Sequence, residues 1–179
     1  GTGPSDTSRS FDGLLDEVRI YNRALTEQEI KRLYNIGATT KINTSNSTGS
    51  LSKGLVGYWS FNENDMSGNT ATDRSGQGNN GTLTNGPVRA IGKIGQALEF
   101  DGTNDYVDIT NISNFSGLSS GSITGWFNAQ SFNCSNGAEI LNFSNGSGTQ
   151  NIILIELNCN TPNYMRVLVR PNTGQLLDF

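Results

Sequence analysis

The chain offers carboxylates, amides and two thiols for chemistry, and no imidazole. None of the 179 residues is His. That removes His-based triads, His–metal catalysis and His general acid–base chemistry. Among the acids, Asp16 draws attention first. It stands in LLDEVRIY, residues 14–21, where strict alternation puts it on one face with Leu14, Val18 and Ile20. A carboxylate on an apolar face is costly unless it is paired or holds a cation. Asp73, Ser75, Asn79 and Asn80 lie in DRSGQGNNGT, residues 73–82. The glycines of that loop free backbone carbonyls to turn inward, and oxygen ligands on a flexible loop suit Ca²⁺. The bland reading is an Asx-rich turn without metal, with Asp16 capped by backbone N–H groups. Asp101 and Asp105 flank the Gly/Asn turn of FDGTNDYV; a hairpin turn held by Asp side chains accounts for them, with a second cation as the competing reading.

Cys134 and Cys159 both sit in Asn/Ser-rich stretches that flank a pair of apolar strands. Their spacing is wrong for a CxxC redox or zinc pair. A disulfide between them implies an oxidising compartment; two unpaired, half-buried thiols are the other reading. The aromatic residues Tyr58, Trp59, Trp126, Phe127 and Tyr164 could stack on sugar rings, although in a sandwich most such side chains are core. Trp59 and Phe61 share one strand face and Tyr58 takes the other.

The elements that must position these residues are mostly strands. The apolar fraction is 34%, with 22 Gly, a mixture that fits many short strands with Gly- and Asn-rich turns. Strands are expected at 14–21, 55–61, 97–100, 106–109, 122–130, 138–143, 151–157 and 164–170, with another beginning at 175. Thr26 followed by Glu29 is a capping-box pattern. Ile30, Leu33 and Tyr34 then fall at helical spacing, which predicts a short helix over 26–35 with Gly37 as its C-terminal cap. Residues 38–53 have almost no apolar content and read as a linker.

Net charge is −4 with scattered basic residues, so no nucleic-acid surface is expected. Apolar runs are too short to span a bilayer, and no membrane insertion is expected. No signal peptide and no initiator Met are visible, and the chain reads as a mature or cut product. Asn43, Asn46, Asn80, Asn111, Asn114, Asn133, Asn142 and Asn145 each begin N-x-S/T. In a secreted eukaryotic chain these could carry glycans; chance in an Asn/Ser/Thr-rich bacterial surface protein is the preferred reading.

Three stretches carry a family resemblance. FDGLLDEVRIYNRALTEQEIKRLYN, residues 11–35, resembles the last strand and closing helix of a laminin-G-like, concanavalin-A-like jelly-roll domain. GLVGYWSF, residues 54–61, and GKIGQALEFDGTNDYVDI, residues 92–109, resemble the opening strands of such a domain. The resemblance implies an all-β jelly-roll sandwich of two antiparallel sheets. A domain ending then precedes a domain beginning: residues 1–37 read as the final strand and helix of one domain, 38–53 as the linker, and 54–179 as the front part of the next. A window cut from tandem repeats, a circular permutation, and donation of the N-terminal strand to a neighbouring copy are all open, with tandem repeats preferred.

By that resemblance Asp73 and Asn79 would share a structural calcium with Asp16. Glucanases share this fold, and a retaining glycosidase needs two carboxyls about 5–5.5 Å apart. Their E-x-D-x-x-E pattern is absent, Asp16 and Glu17 are adjacent on opposite faces, and Glu139 and Glu156 read as isolated in their strands. Enzymatic activity is not expected. The leading expectation is a non-catalytic extracellular or cell-surface module of adhesion or filament assembly, whose partners are other copies or repeats of the same protein. The alternative is a carbohydrate-binding module of a polysaccharide-degrading enzyme, with a glycan as partner.

Overall fold

The computed structural model describes residues 9–38, 51–109, 120–131, 137–143, 152–158, 164–170 and 177–178. Among the described residues the strands are antiparallel and fall in three sheets around one core, with an α-helix following the first strand and a 3-10 turn at Glu63–Asp65. The all-β sandwich expected from the short, turn-separated strands is what forms.

The large sheet is built on β1 (Asp12–Tyr21). One edge of β1 pairs with β9 (Ser122–Ser131) along its length. The other edge is divided. Its first half pairs with β7 (Gln96–Asp101), Asp12 opposite Asp101 and Leu15 opposite Leu98. Its second half pairs with β2 (Leu55–Trp59), Val18 opposite Trp59 and Tyr21 opposite Leu55. Beyond β7 lies β6 (Val88–Ile91). The N-terminal strand therefore occupies the middle of a sheet made by residues 55–131 of the same chain.

A small sheet runs β3 (Met66–Ser67), β4 (Thr70–Ala71), β5 (Gly81–Thr84) and β8 (Tyr106–Asp108). A third sheet runs β10 (Ala138–Phe143), β11 (Ile152–Asn158), β12 (Tyr164–Arg170) and β13 (Leu177–Asp178). One core cluster joins all three. The large sheet contributes Val18, Ile20, Val56, Trp59, Leu98 and Phe100, the small sheet Ala71 and the third sheet Ala138 and Leu157. Trp59 and Phe61 are core while Tyr58 turns the other way, as alternation requires.

The helix α1 spans Glu27–Ala38. The capping box forms as its sequence predicts: Glu29 N donates to Thr26 Oγ1 at 3.3 Å, and Thr26 N donates to Glu29 Oε2 at 2.9 Å. The helix runs through Gly37 and does not stop before it. Strand ends elsewhere differ from expectation by a few residues, and β3, β4, β5 and β6 are additions. Alternation lacks a signal in two- to four-residue strands.

Two expectations are corrected. Asp101–Asp105 is not a hairpin turn, because β7 belongs to the large sheet and β8 to the small one. It is a corner between sheets, held by Thr103 N donating to Asp101 Oδ1 at 2.8 Å and Asp101 N donating to Asp105 Oδ2 at 3.1 Å. The face assignment along β1 also changes. Leu15, not Leu14, packs against the core with Val18 and Ile20. Glu17 has a left-handed backbone, φ 56°, and the β1–β9 register shifts between Asp16 and Arg19. This bulge inserts one residue and reverses the parity of the strand.

Candidate functional site: the seam of the inserted strand

The bulge lies where β1 changes partner from β7 to β2. Asp16 and Glu17 fill that junction, and both are buried. Asp16 Oδ2 accepts the amide of Ile94, 2.8 Å away, at the tip of the β6–β7 turn. Asp16 Oδ1 has no partner. Burial is the main reason its carboxyl is pushed up to about 6; the neighbouring Glu17 adds to this, and the Ile94 amide opposes it. Glu17, by contrast, has partners for its side chain. It accepts the Tyr58 hydroxyl at 3.0 Å and pairs with Arg19, whose guanidinium lies 4.0 Å from the centre of the Tyr58 ring. Burial is also the first cause of the raised Tyr58 hydroxyl pKa. An acid from β1 thus bonds the β6–β7 turn on one side of the gap, and its neighbour bonds β2 on the other.

A second set of contacts fixes the entry of the strand. Arg9 reaches the third sheet, pairing with Glu139 at 3.0 Å and with Glu156. Arg166 adds a 3.3 Å contact to Glu156. Glu139, Glu156 and Arg166 form one cross-strand row, since Glu139 is opposite Glu156 and Glu156 opposite Arg166. The reading of Glu139 and Glu156 as isolated is therefore overturned. Pairing between strands brought together two acids that are 17 positions apart in the chain. Their side chains are only 4% and 2% exposed and are gripped by arginines, an arrangement that neutralises charge and leaves no face for a sugar. Next along, Ser10 Oγ donates to Thr103 O at 2.7 Å and Gly102 N to Phe11 O at 3.2 Å. Gly13, φ 146°, lets β9 approach: a Cβ there would collide with the Asn128 carbonyl.

The residues expected to bind calcium divide into two places. Asp73 and Asn79 come together, Asn79 N donating to Asp73 Oδ2 at 2.9 Å. Asp73 Oδ2 also accepts Ser75 Oγ at 2.7 Å, and Oδ1 accepts the amides of Tyr58 and Ser75 at 2.9 and 2.8 Å. Asn79 is fully buried, its Nδ2 on Val56 O and its carbonyl accepting Trp59 Nε1. Four donors already point at the Asp73 carboxylate, a set that stabilises the anion itself and does not fit a cation. Asp16 differs: only its Oδ2 accepts an amide, that of Ile94, and its Oδ1 is without a partner. Among the described residues no cluster of three or more acidic or thiol side chains forms a metal-binding group. Cys134 and Cys159 lie outside the described residues.

The aromatic candidates separate as well. Trp59 is core and Tyr58 is spent on Glu17. Trp126 packs with Tyr34 of α1, ring centres 5.5 Å apart, under Lys93. Phe127 and Tyr164 are exposed.

Residues 1–31 match the model of the concanavalin A-like lectin/glucanases superfamily. The match covers Arg9, the whole of β1 and the start of α1, which is the segment inserted into the large sheet. No curated protein and no solved structure matches the chain.

Sequence reasoning missed Arg9, Glu17 and the Glu139–Glu156 row. The available signal was an acid in the middle of an apolar strand, as in AEILNF and IILIEL, which demands a partner.

Proposed function

We propose that this chain is a non-catalytic extracellular module of adhesion or surface assembly, in which residues 9–21 act as a complementing strand. The observation that carries this reading is the place of β1. It supplies the central strand of a sheet whose other members all come from residue 55 onward. Its side chains specify that place through Arg9 at the entry and Asp16–Glu17 at the partner change. A strand with such a specific seat can be supplied in cis, as in a permuted sandwich, or by the neighbouring copy in a series of repeats. The pairing of Glu139 and Glu156, which are buried under arginines, fits a structural role for these two acids.

Strand exchange is tested by mixing two differently labelled preparations, unfolding and refolding them together, and measuring energy transfer between copies in isolated polymers. Transfer that requires Arg9 and β1 supports donation between copies. A chain that stays monomeric at every concentration after refolding sinks the assembly reading.

The sugar-binding alternative is favoured by the exposed Tyr34 beside Trp126, since paired rings with one open face can stack on a pyranose. A glycan screen that finds no ligand, or finds one unaffected by Trp126→Ala, disposes of it.

A further inference from the structure

We propose that β9 is a self-association edge: two copies of this chain pair their β9 strands antiparallel about a two-fold axis at Trp126, continuing the large sheet across both molecules. This is a separate contact from exchange of β1 and holds whether β1 is supplied in cis or in trans.

Among the described residues β9 pairs with β1 alone. β1 is largely buried, yet every residue of the ten-residue β9 is at least partly exposed. Such an edge presents a row of backbone donors and acceptors to another strand. Protected edges carry charges or prolines; β6, at the far side of the same sheet, has Arg89 and follows Pro87. β9 reads SITGWFNAQS and has neither. Each copy carries a net charge of −4, but β9 itself carries none, so pairing it with a second β9 sets no like charges against each other within the strand pair.

The side chains specify the register. Ile123 and Ala129 of β9 pack against the core, and Phe127 shares their face by alternation. Phe127 is nevertheless 45% exposed, a core-facing ring left half open at the rim. Directly opposite residues of an antiparallel pair lie on the same face of the sheet. An axis at Trp126 therefore sets Phe127 of each copy opposite Gly125 of the other, where the missing side chain leaves room for the ring, an aromatic–glycine pairing that stabilises sheets. The same register aligns Ile123 with Ala129, extending the apolar rim, and Thr124 with Asn128.

The test is light scattering of the whole chain over a concentration series. The unmodified chain should reach twice its monomer mass, and added salt should promote this by screening the −4 charges. Phe127→Lys should weaken dimerisation at least about tenfold, and Gly125→Glu with Phe127→Lys should restore it by placing opposite charges across the axis. A Cβ at Gly125 meets nothing closer than 3.5 Å, so that position accepts a side chain. Hydrogen exchange on the unmodified chain gives a readout free of substitution: protection over 122–131 should rise with concentration. A chain that stays monomeric, protection independent of concentration, or a dimer indifferent to Phe127→Lys but abolished by Arg9→Ala would each overturn the proposal. The last result would assign the dimer to exchange of β1 instead.

Discussion

Replacing Asp16 by Asn should remove a pH dependence that the wild-type chain carries between pH 4 and 7. Asp16 is 2% exposed, with one oxygen on the Ile94 amide and the other without a partner. Burial lifts its carboxyl from the ordinary 3.8 to about 6. In the unfolded chain it returns to the ordinary value, so the folded state holds its proton more tightly. The stabilisation is complete below pH 4 and is lost as pH rises through about 6. A rise of about two units corresponds to roughly 3 kcal/mol. Asn keeps the shape and the oxygen for Ile94 but cannot ionise. Urea unfolding of both proteins, followed by tryptophan fluorescence at half-unit intervals from pH 4 to 7.5, isolates the effect. The stability difference between variant and wild type should move by about 2–3 kcal/mol in favour of the variant across that range. An offset that stays constant would refute the reasoning, since it would mean that the buried carboxyl titrates alike in the folded and unfolded chains.

Glu29 should show the opposite sign: its hydrogen bonds from Arg23 and Thr26 hold its carboxyl down to about 2, so its contribution is present above pH 4.5 and fades as pH falls toward 2, a loss that Glu29→Gln abolishes in an acid titration. Thr26→Ala removes the α1 cap and should cost about 1 kcal/mol in denaturant unfolding. Arg9→Ala leaves Glu139 and Glu156 facing each other without their shared cation; a loss of about 3–5 kcal/mol is expected, partly recovered by adding Glu156→Gln. Gly13→Ala forces a side chain against the β9 backbone at φ 146° and should cost about 3 kcal/mol or more, read as a lowered melting temperature. Chelator should leave the melting temperature unchanged, because donors already saturate Asp73; a fall on chelation, reversed by Ca²⁺, would restore the calcium reading of Asp16, Asp73 and Asn79.

The sequence alone determined the local structure. Alternating apolar residues placed most of the long strands, and Thr26 and Glu29 capped α1, because these signals act over a few residues of chain. Trp59 and Phe61 could be assigned to the core for the same reason. Tertiary structure decided the rest. Whether β1 lies in a sheet with β2, β7 and β9 depends on pairings across 34 (Tyr21 with Leu55) to 119 (Asp12 with Ser131) positions, which no local pattern encodes. The bulge at Glu17 falls where β1 changes partner, and with it Leu15 takes the place on the core that alternation gave to Leu14. Glu139 and Glu156 looked isolated because β pairing sets their proximity, and Arg9 reached them only once the strand was inserted. The Asp73 loop carried the residue types of a cation site; the direction of its N–H groups, a property of the folded backbone alone, turned it into a self-satisfied anion.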